Sequence, residues 1–230
     1  MNRILKNLVF CALTIVAASS STFAQEKATS DEKIAYREVV TKRADKIVAD
    51  LGVIKNGKST EVRDMIAQQY IDLNAIHDAR NAAIKEVKQI YQEDKEESKA
   101  SIERLEKRAD KKLYKLHKKY ISKLSRNLSA EQVDMVKDGM TYKVLPITYS
   151  GYQQMLPTLT SEQRKQILAY LTEAREHAMD AESSEKKHAW FGKYKGKINN
   201  YLSAAGIDMN KASKEWQQRI KEEAAKKENN

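Results

Sequence analysis

Seven glycines and two prolines are all that punctuate 230 residues, and no other feature restricts the fold of this chain so tightly. Sandwiches and barrels need turns at short intervals, and turns draw heavily on these two amino acids. With 32% of its residues charged, the chain reads instead as a series of long amphipathic helices. The expected fold is all-α, a multi-helix bundle with a long antiparallel helical hairpin and a C-terminal helical subdomain.

The N-terminus predicts export. Arg3 and Lys6 form a short basic region, Leu8 to Ala18 an apolar run, and Thr22-Phe23-Ala24 a small-residue cleavage site, the three parts of a secretory leader. The leader is expected to span 1–24, with cleavage after Ala24 and a mature protein that starts at Gln25 in the periplasm or outside the cell. The apolar run is shorter than the ~20 residues of a spanning helix, so no transmembrane anchor is expected after cleavage. Cleavage also removes Cys11, the single cysteine, and with it any disulfide, thiol nucleophile or thiolate metal site. The mature chain, 25–230, reads as one helical domain: N-terminal helices and the hairpin over 25–127, a C-terminal helical part over 128–222, and a frayed tail over 223–230.

Thr29, three residues before Glu32, predicts a capping box opening the first helix, and Gly52 predicts its end. The second helix carries the most regular seam, Ile66, Tyr70, Leu73, His77, Arg80, Ile84, Val87 and Tyr91, whose alternating spacing of four and three suits packed antiparallel helices. His77 and Arg80 stand on that seam. They read either as a satisfied polar layer, with His77 accepting from a neighbour and Arg80 paired to an acid such as Asp78, or as one wall of a polar ligand site. A break near Asp94 to Ser98 predicts the hairpin, because an unbroken helix from Thr60 to Ser125 would be roughly 100 Å long. The third helix is sharply two-faced. Arg104 to Arg126 holds ten Lys or Arg against Glu106 and Asp110, and Lys111, Lys115, Lys118 and Lys119 head a face that suits an anionic partner or surface as well as plain solvation.

Leu128-Ser129-Ala130-Glu131-Gln132 and Leu159-Thr160-Ser161-Glu162-Gln163 both predict a helix start through a capping box. Between them, Gly139 to Pro157 reads as the least helical part of the mature chain, and Tyr142, Tyr149 and Tyr152 mark it as either a connector over the core or a binding surface. The next helix, Ser161 to Ala181, buries Ile167, Leu168, Leu171, Ala174 and Ala178 in this reading. Its Glu173 and His177 have the spacing of a surface pair or, less commonly, of metal ligands. The stretch Ser184 to Ala205 then gathers Trp190, Phe191, Tyr194, Ile198, Tyr201, Leu202 and Ala205 on an arc about 120° wide. Gly192, Gly196, Asn199 and Ser203 form a strip of small residues that predicts a close approach. Lys193, Lys195 and Asn200 border it. Asp208 is expected to cap a last helix bearing Met209, Ala212, Trp216 and Ile220.

At DGMTY (Asp138 to Tyr142), YSGYQQMLPTLTSEQ (Tyr149 to Gln163), EAREHAMDA (Glu173 to Ala181), KHAWFGKYKGKINNYLSAAG (Lys187 to Gly206) and IHDAR (Ile76 to Arg80), the chain resembles a family of secreted helical proteins from polysaccharide-degrading Gram-negative bacteria. That family is a domain of unknown function, described as sugar-binding and encoded near polysaccharide-utilisation genes. The resemblance implies a glycan partner and supplies no catalytic residues. The two Leu-Ser/Thr openings also resemble, more locally, the Leu-Thr-x-x-Gln signature of periplasmic helical chaperones and envelope-stress sensors.

Three functions follow. The first is binding of a glycan, with uronic acids matching the lysines, through Trp190, Lys193, Tyr194, Lys195, Asn199 and Asn200, with Tyr142, Tyr149, Tyr152, His77 and Arg80 as further ligand-binding candidates. The second is a periplasmic chaperone or sensor that uses the basic face. The third is glycan cleavage by a carboxylate pair, with Glu173, Glu176 and Asp180 as candidates. No metal site, cofactor or nucleic-acid partner is expected, since neither His-Glu-x-x-His nor Gly-x-Ser-x-Gly occurs and the four histidines are scattered.

Overall fold

The computed structural model describes residues 14–52, 54 and 57–228, with side chains described between 31 and 225. The described residues form eight helices, α1 (Thr14–Asp50), α2 (Ser59–Ile90), α3 (Lys95–Ser125), α4 (Ala130–Met140), α5 (Val144–Met155), α6 (Ser161–Met179), α7 (Ser184–Ala204) and α8 (Met209–Glu228). No strand occurs among the described residues, so the fold is the all-α bundle that the shortage of turn residues predicts. None of the described helices is long and apolar enough to cross a membrane. The basic region and the first part of the apolar run of the expected leader, residues 1–13, lie outside the described residues. So do residues 229–230 of the expected tail.

Most helix boundaries follow local chemistry. Ser129 and Thr160 each accept a hydrogen bond from the backbone of the glutamine three residues on, and each glutamine bonds back to the cap backbone. Ser183 caps α7 through Lys186 N, and Asp208 accepts from Lys211 N at the start of α8. Gly206, with φ +85°, ends α7 as Ile207 N bonds to Leu202 O, the left-handed closure that glycine permits. Thr29 opens no helix. It lies inside α1, where the backbone is already helical and cannot take the extended conformation of a cap.

The hairpin forms from helices of 32 and 31 residues. It turns at Tyr91 to Asp94, earlier than the expected Asp94 to Ser98, because Asp94 accepts from Glu97 N at 2.9 Å and so serves as the N-cap of α3. The seam of α2 faces inward: Ile66, Leu73 and His77 are buried, and Tyr70, Arg80, Ile84, Val87 and Tyr91 half-buried.

The segment Gly139 to Pro157 is not the least helical part of the chain. Most of it is α5, with Pro146 in the first turn, where a proline sacrifices no intrahelical hydrogen bond. What interrupts the chain is a two-residue turn, Tyr142 at φ +59° and Lys143 at φ +55°. Consecutive left-handed residues without glycine store backbone strain.

Two apolar cores result. Val40, Ala44 and Ile47 of α1, Val62, Ile66 and Leu73 of α2, Tyr120 and Leu124 of α3, and Val133, Val136 and Met140 of α4 fill the first. Leu145 and Tyr152 of α5, Ile167, Leu171 and Ala174 of α6, Phe191, Tyr194, Ile198 and Leu202 of α7, and Ala212 of α8 fill the second. Leu168, expected in the core, is 40% exposed, because it lies about 100° round the helix from Ile167, off the line of Ile167, Leu171, Ala174 and Ala178 that enters the second core. Close backbone approach occurs at Gly139, where an added Cβ would lie 2.8 Å from Ile47 Cγ1. It does not occur at the strip on α7. A Cβ added at Gly192 or Gly196 would meet nothing within 4 Å, since α7 packs through its aromatic arc.

Candidate functional site

Polar side chains from four helices meet where the two cores join. Arg175 of α6, with only 6% of its side chain exposed, donates to Asp134 Oδ1 at 2.6 Å and to Asp138 Oδ1 at 2.8 Å, both on α4. Lys137 of α4 pairs with Glu176 at 2.9 Å. His117 of α3 lies between two acids of α6 and its C-terminal cap, with Nδ1 2.9 Å from Asp180 Oδ2 and Nε2 3.2 Å from Glu176 Oε2. Hydrogen bonds first to Asp180 and then to Glu176 hold its pKa up at about 9 despite partial burial, so at neutral pH both ring nitrogens donate. Burial pulls the Glu176 carboxyl upward, yet the hydrogen bonds from His117 and Lys137 prevail and bring it to about 2.

Lys187 of α7 completes this layer without a carboxylate. Its ammonium donates to Met140 O at 3.0 Å and reaches Met179 O at 3.4 Å, the last residues of α4 and α6. Helix C-terminal carbonyls lack intrahelical partners and carry partial negative charge, so one buried cation satisfies two helix ends. Burial lowers its pKa to about 8.

Beside this layer a cleft of about 700 Å³ opens between the hairpin and α6 and α7. The half-buried Trp190 ring stacks on His177 at 4.3 Å with planes 13° apart. Lys193 Nζ stands 4.9 Å from the indole centroid. Across the cleft Arg80 Nη2 donates to Glu182 Oε2 at 2.8 Å, and Lys186 also pairs with Glu182. Lys186 is the largest influence lowering the Glu182 pKa to about 2, helped by Asn81 and Arg80. His77 Nε2 lies 2.8 Å from Asp180 O, and since a carbonyl only accepts, that nitrogen carries the proton. His77 Nδ1 and Asp180 Oδ1 are buried without a hydrogen-bond partner among the described residues. An aromatic wall bordered by a guanidinium and two ammonium groups can pack the apolar face of a ring and bond to its hydroxyls or carboxylate.

The sequence candidates divide between surfaces. His77, Arg80, Asp180, Trp190 and Lys193 share the cleft. Tyr194 is buried in the second core, with Lys197 Nζ 4.2 Å from its ring centroid. Burial, then Glu173, pushes its hydroxyl up to about 12. Tyr152 is also buried. It donates to Asn199 Oδ1 at 2.7 Å and approaches Lys195 O at 3.4 Å, so these three residues meet on another side of α7. Tyr149 packs half-buried against the second core, and Asn200 is exposed. Tyr142 is exposed and stacks on His188 at 5.3 Å. Lys111, Lys115, Lys118 and Lys119 are all exposed along α3. Arg80 pairs with Glu182 and Asn81 and not with Asp78, which instead accepts from Asn74. His77 donates at its one contact rather than accepting.

Of the carboxylate candidates, Glu176 is held ionised and has no proton to give at neutral pH, and Asp180 grips His117. No group of three His, Cys, Asp or Glu suited to a metal occurs among the described residues. Sequence reasoning missed Glu182 and Lys186, and read His177 only as a partner for Glu173. The Arg80 to Glu182 bond spans 102 residues, so no local pattern announces it. The stacking of His177 on Trp190 likewise depends on how α6 meets α7.

The sequence model of a family described as protein of unknown function (DUF3826) matches residues 37–222, and the chain belongs to that family. No curated protein matches it.

Proposed function

We propose that this member of the family is exported and binds an acidic, uronic-acid-containing glycan in the cleft between the hairpin and α7, in service of polysaccharide utilisation. One observation carries the reading: the Trp190 and His177 rings stack at the wall of a cleft that also presents Arg80, Lys186 and Lys193. Sugars combine apolar C–H faces with hydroxyls, and uronates add a carboxylate that pairs with guanidinium or ammonium groups. Export rests on the leader pattern of residues 1–24. N-terminal sequencing of the native protein is expected to start at Gln25, and material retaining Met1 would reject export by this route.

Titration calorimetry of the protein against acidic and neutral oligosaccharides tests the binding. Trp190 is half-buried, so Trp190→Ala is expected to cost about 1–3 kcal/mol of stability, below the 3–5 typical of a fully buried tryptophan, while binding disappears. Lys193→Ala is expected to weaken uronate binding about tenfold, one charge-assisted contact, and to leave the melting temperature in place. A folded wild-type protein that binds none of the oligosaccharides ends the proposal.

A second reading, a periplasmic helical chaperone or envelope sensor, draws on the exposed lysine face of α3. It gains if the protein captures unfolded polypeptides in a salt-sensitive manner, has no glycan affinity, and loses capture when Lys111, Lys115, Lys118 and Lys119 become glutamine.

A further inference from the structure

His77 also forms part of the wall of a second cleft, about 650 Å³, enclosed by α1, α2, the turn after α4 and the start of α7. Arg43 and Lys46, on α1, line it and are exposed. The acids nearby are already engaged: Asp45 with Arg63, Asp50 with Lys143, and Glu182 with Arg80 and Lys186. Neither Arg43 nor Lys46 forms an ion pair among the described residues. At the floor lies Lys187, whose ammonium donates to carbonyl oxygens and stands 5.6 Å from the Tyr70 ring centroid. The cleft therefore holds Arg43, Lys46 and Lys187 without an ion pair to any of them among the described residues, while its two lining acids, Asp50 and Glu182, are paired with other cations.

Three further observations point to a ligand there. Ser183 and Ser184, at the N-terminus of the 21-residue α7, line the cleft, adding the positive end of a helix dipole. His77, only 4% exposed, has no partner for Nδ1 among the described residues, a buried acceptor in want of a donor. The left-handed pair Tyr142 and Lys143 stores strain at the rim and leaves Tyr142 48% exposed against His188.

We propose that this second cleft binds an oxyanion, a carboxylate or a sulfate or phosphate group, through Arg43 and Lys46 with the α7 N-terminus, while a hydroxyl of the same ligand meets His77. Guanidinium groups and the N–H groups of a helix N-terminus are the donors that phosphate and carboxylate sites use. The site does not depend on the Trp190 cleft. The two share the wall made by His77, Ala181 and Glu182 but recognise different parts of a ligand or different ligands.

Titration of the full protein at low ionic strength with sodium glucuronate, sodium sulfate and sodium phosphate, with glucose as the neutral control, tests it by amide chemical shifts. The anions are expected to bind and glucose is not. The double variant Arg43→Gln, Lys46→Gln, both positions exposed and compatible with folding, is expected to weaken binding about tenfold or more. Trp190→Ala, and glutamine at Lys111, Lys115, Lys118 and Lys119, are expected to leave sulfate and phosphate binding unchanged, and glucuronate is compared in the Trp190→Ala background, which separates this site from the Trp190 cleft and from the face of α3. Glucuronate binding that survives Trp190→Ala and weakens in the double variant supports a glycan carboxylate as the natural group, and equal binding of the inorganic anions supports a sulfate or phosphate. No anion binding by the folded Trp190→Ala protein, or binding that persists when Arg43→Gln and Lys46→Gln are added to it, overturns the site.

Discussion

Arg175→Ala is expected to lower the stability of this protein by about 3 kcal/mol, the lower end of the cost of breaking a buried ion pair. The guanidinium is 6% exposed and forks to two aspartates of α4, so it ties the helix that closes the first core to the helix that runs through the second. Alanine leaves both carboxylates without this cation. The cost stays near the lower end because Asp134, with 58% of its side chain exposed, can recover water, whereas Asp138, at 20%, recovers less. For the same reason Asp134→Ala alone is expected to cost about 1 kcal/mol or less, as exposed pairs do. Urea unfolding followed by circular dichroism measures both. A loss below about 1 kcal/mol for Arg175→Ala would show that the two cores do not depend on this fork.

Stability is expected to fall between about pH 6.5 and 9 through His117. Its ordinary pKa of 6.5 rises to about 9 in the folded chain, so over that window the native state holds a proton that the unfolded state has released. The stabilisation is complete below 6.5 and lost as pH climbs through 9. Its size is on the order of 3 kcal/mol, the free-energy equivalent of the shift, for a side chain 18% exposed. Glu176 is the other end of the same contact. Its pKa drops from 4.5 to about 2, so its contribution is present above 4.5 and lost as pH falls through 2. Lys187 acts in the opposite sense at high pH, since a pKa lowered from 10.5 to about 8 makes stability rise across that interval as the burial of charge is relieved. His117→Gln is expected to abolish the decline between 6.5 and 9 and to retain the Lys187 rise. Denaturation midpoints from pH 5 to 10 read the difference, and an unchanged decline in His117→Gln would remove His117 as its cause.

Much of the helical framework is legible because the signals are local. Capping boxes at Ser129 and Thr160, the cap at Asp208 and the glycine stops at Gly52 and Gly206 each act within a few residues, and the structure places helix ends at all of them. The aromatic arc of α7 also faces inward as its spacing predicts, with Phe191, Tyr194, Ile198 and Leu202 buried. Two local readings fail where composition stands in for conformation. Pro146 and Gly151 suggest a break, but a first-turn proline is compatible with α5. The glycines of α7 suggest a close approach that in fact occurs at Gly139.

Residue order alone is enough for the helical class, most of the helix boundaries and the face that each long helix turns inward, because hydrogen bonds four residues apart and a period of 3.6 act whatever the rest of the chain does. It also names His77, Arg80, Trp190 and Lys193, but as separate hints on separate helices. That these share a cleft, that Tyr152 spends its hydroxyl on Asn199, and that His117 locks Glu176 and Asp180 together are matters of helix packing. Those choices rest on pairs 47 to 103 residues apart, and helical periodicity says which way a side chain points without saying which helix it meets. The meeting depends on how two apolar cores pack, and the charged layer between them takes whatever partners that packing brings within reach.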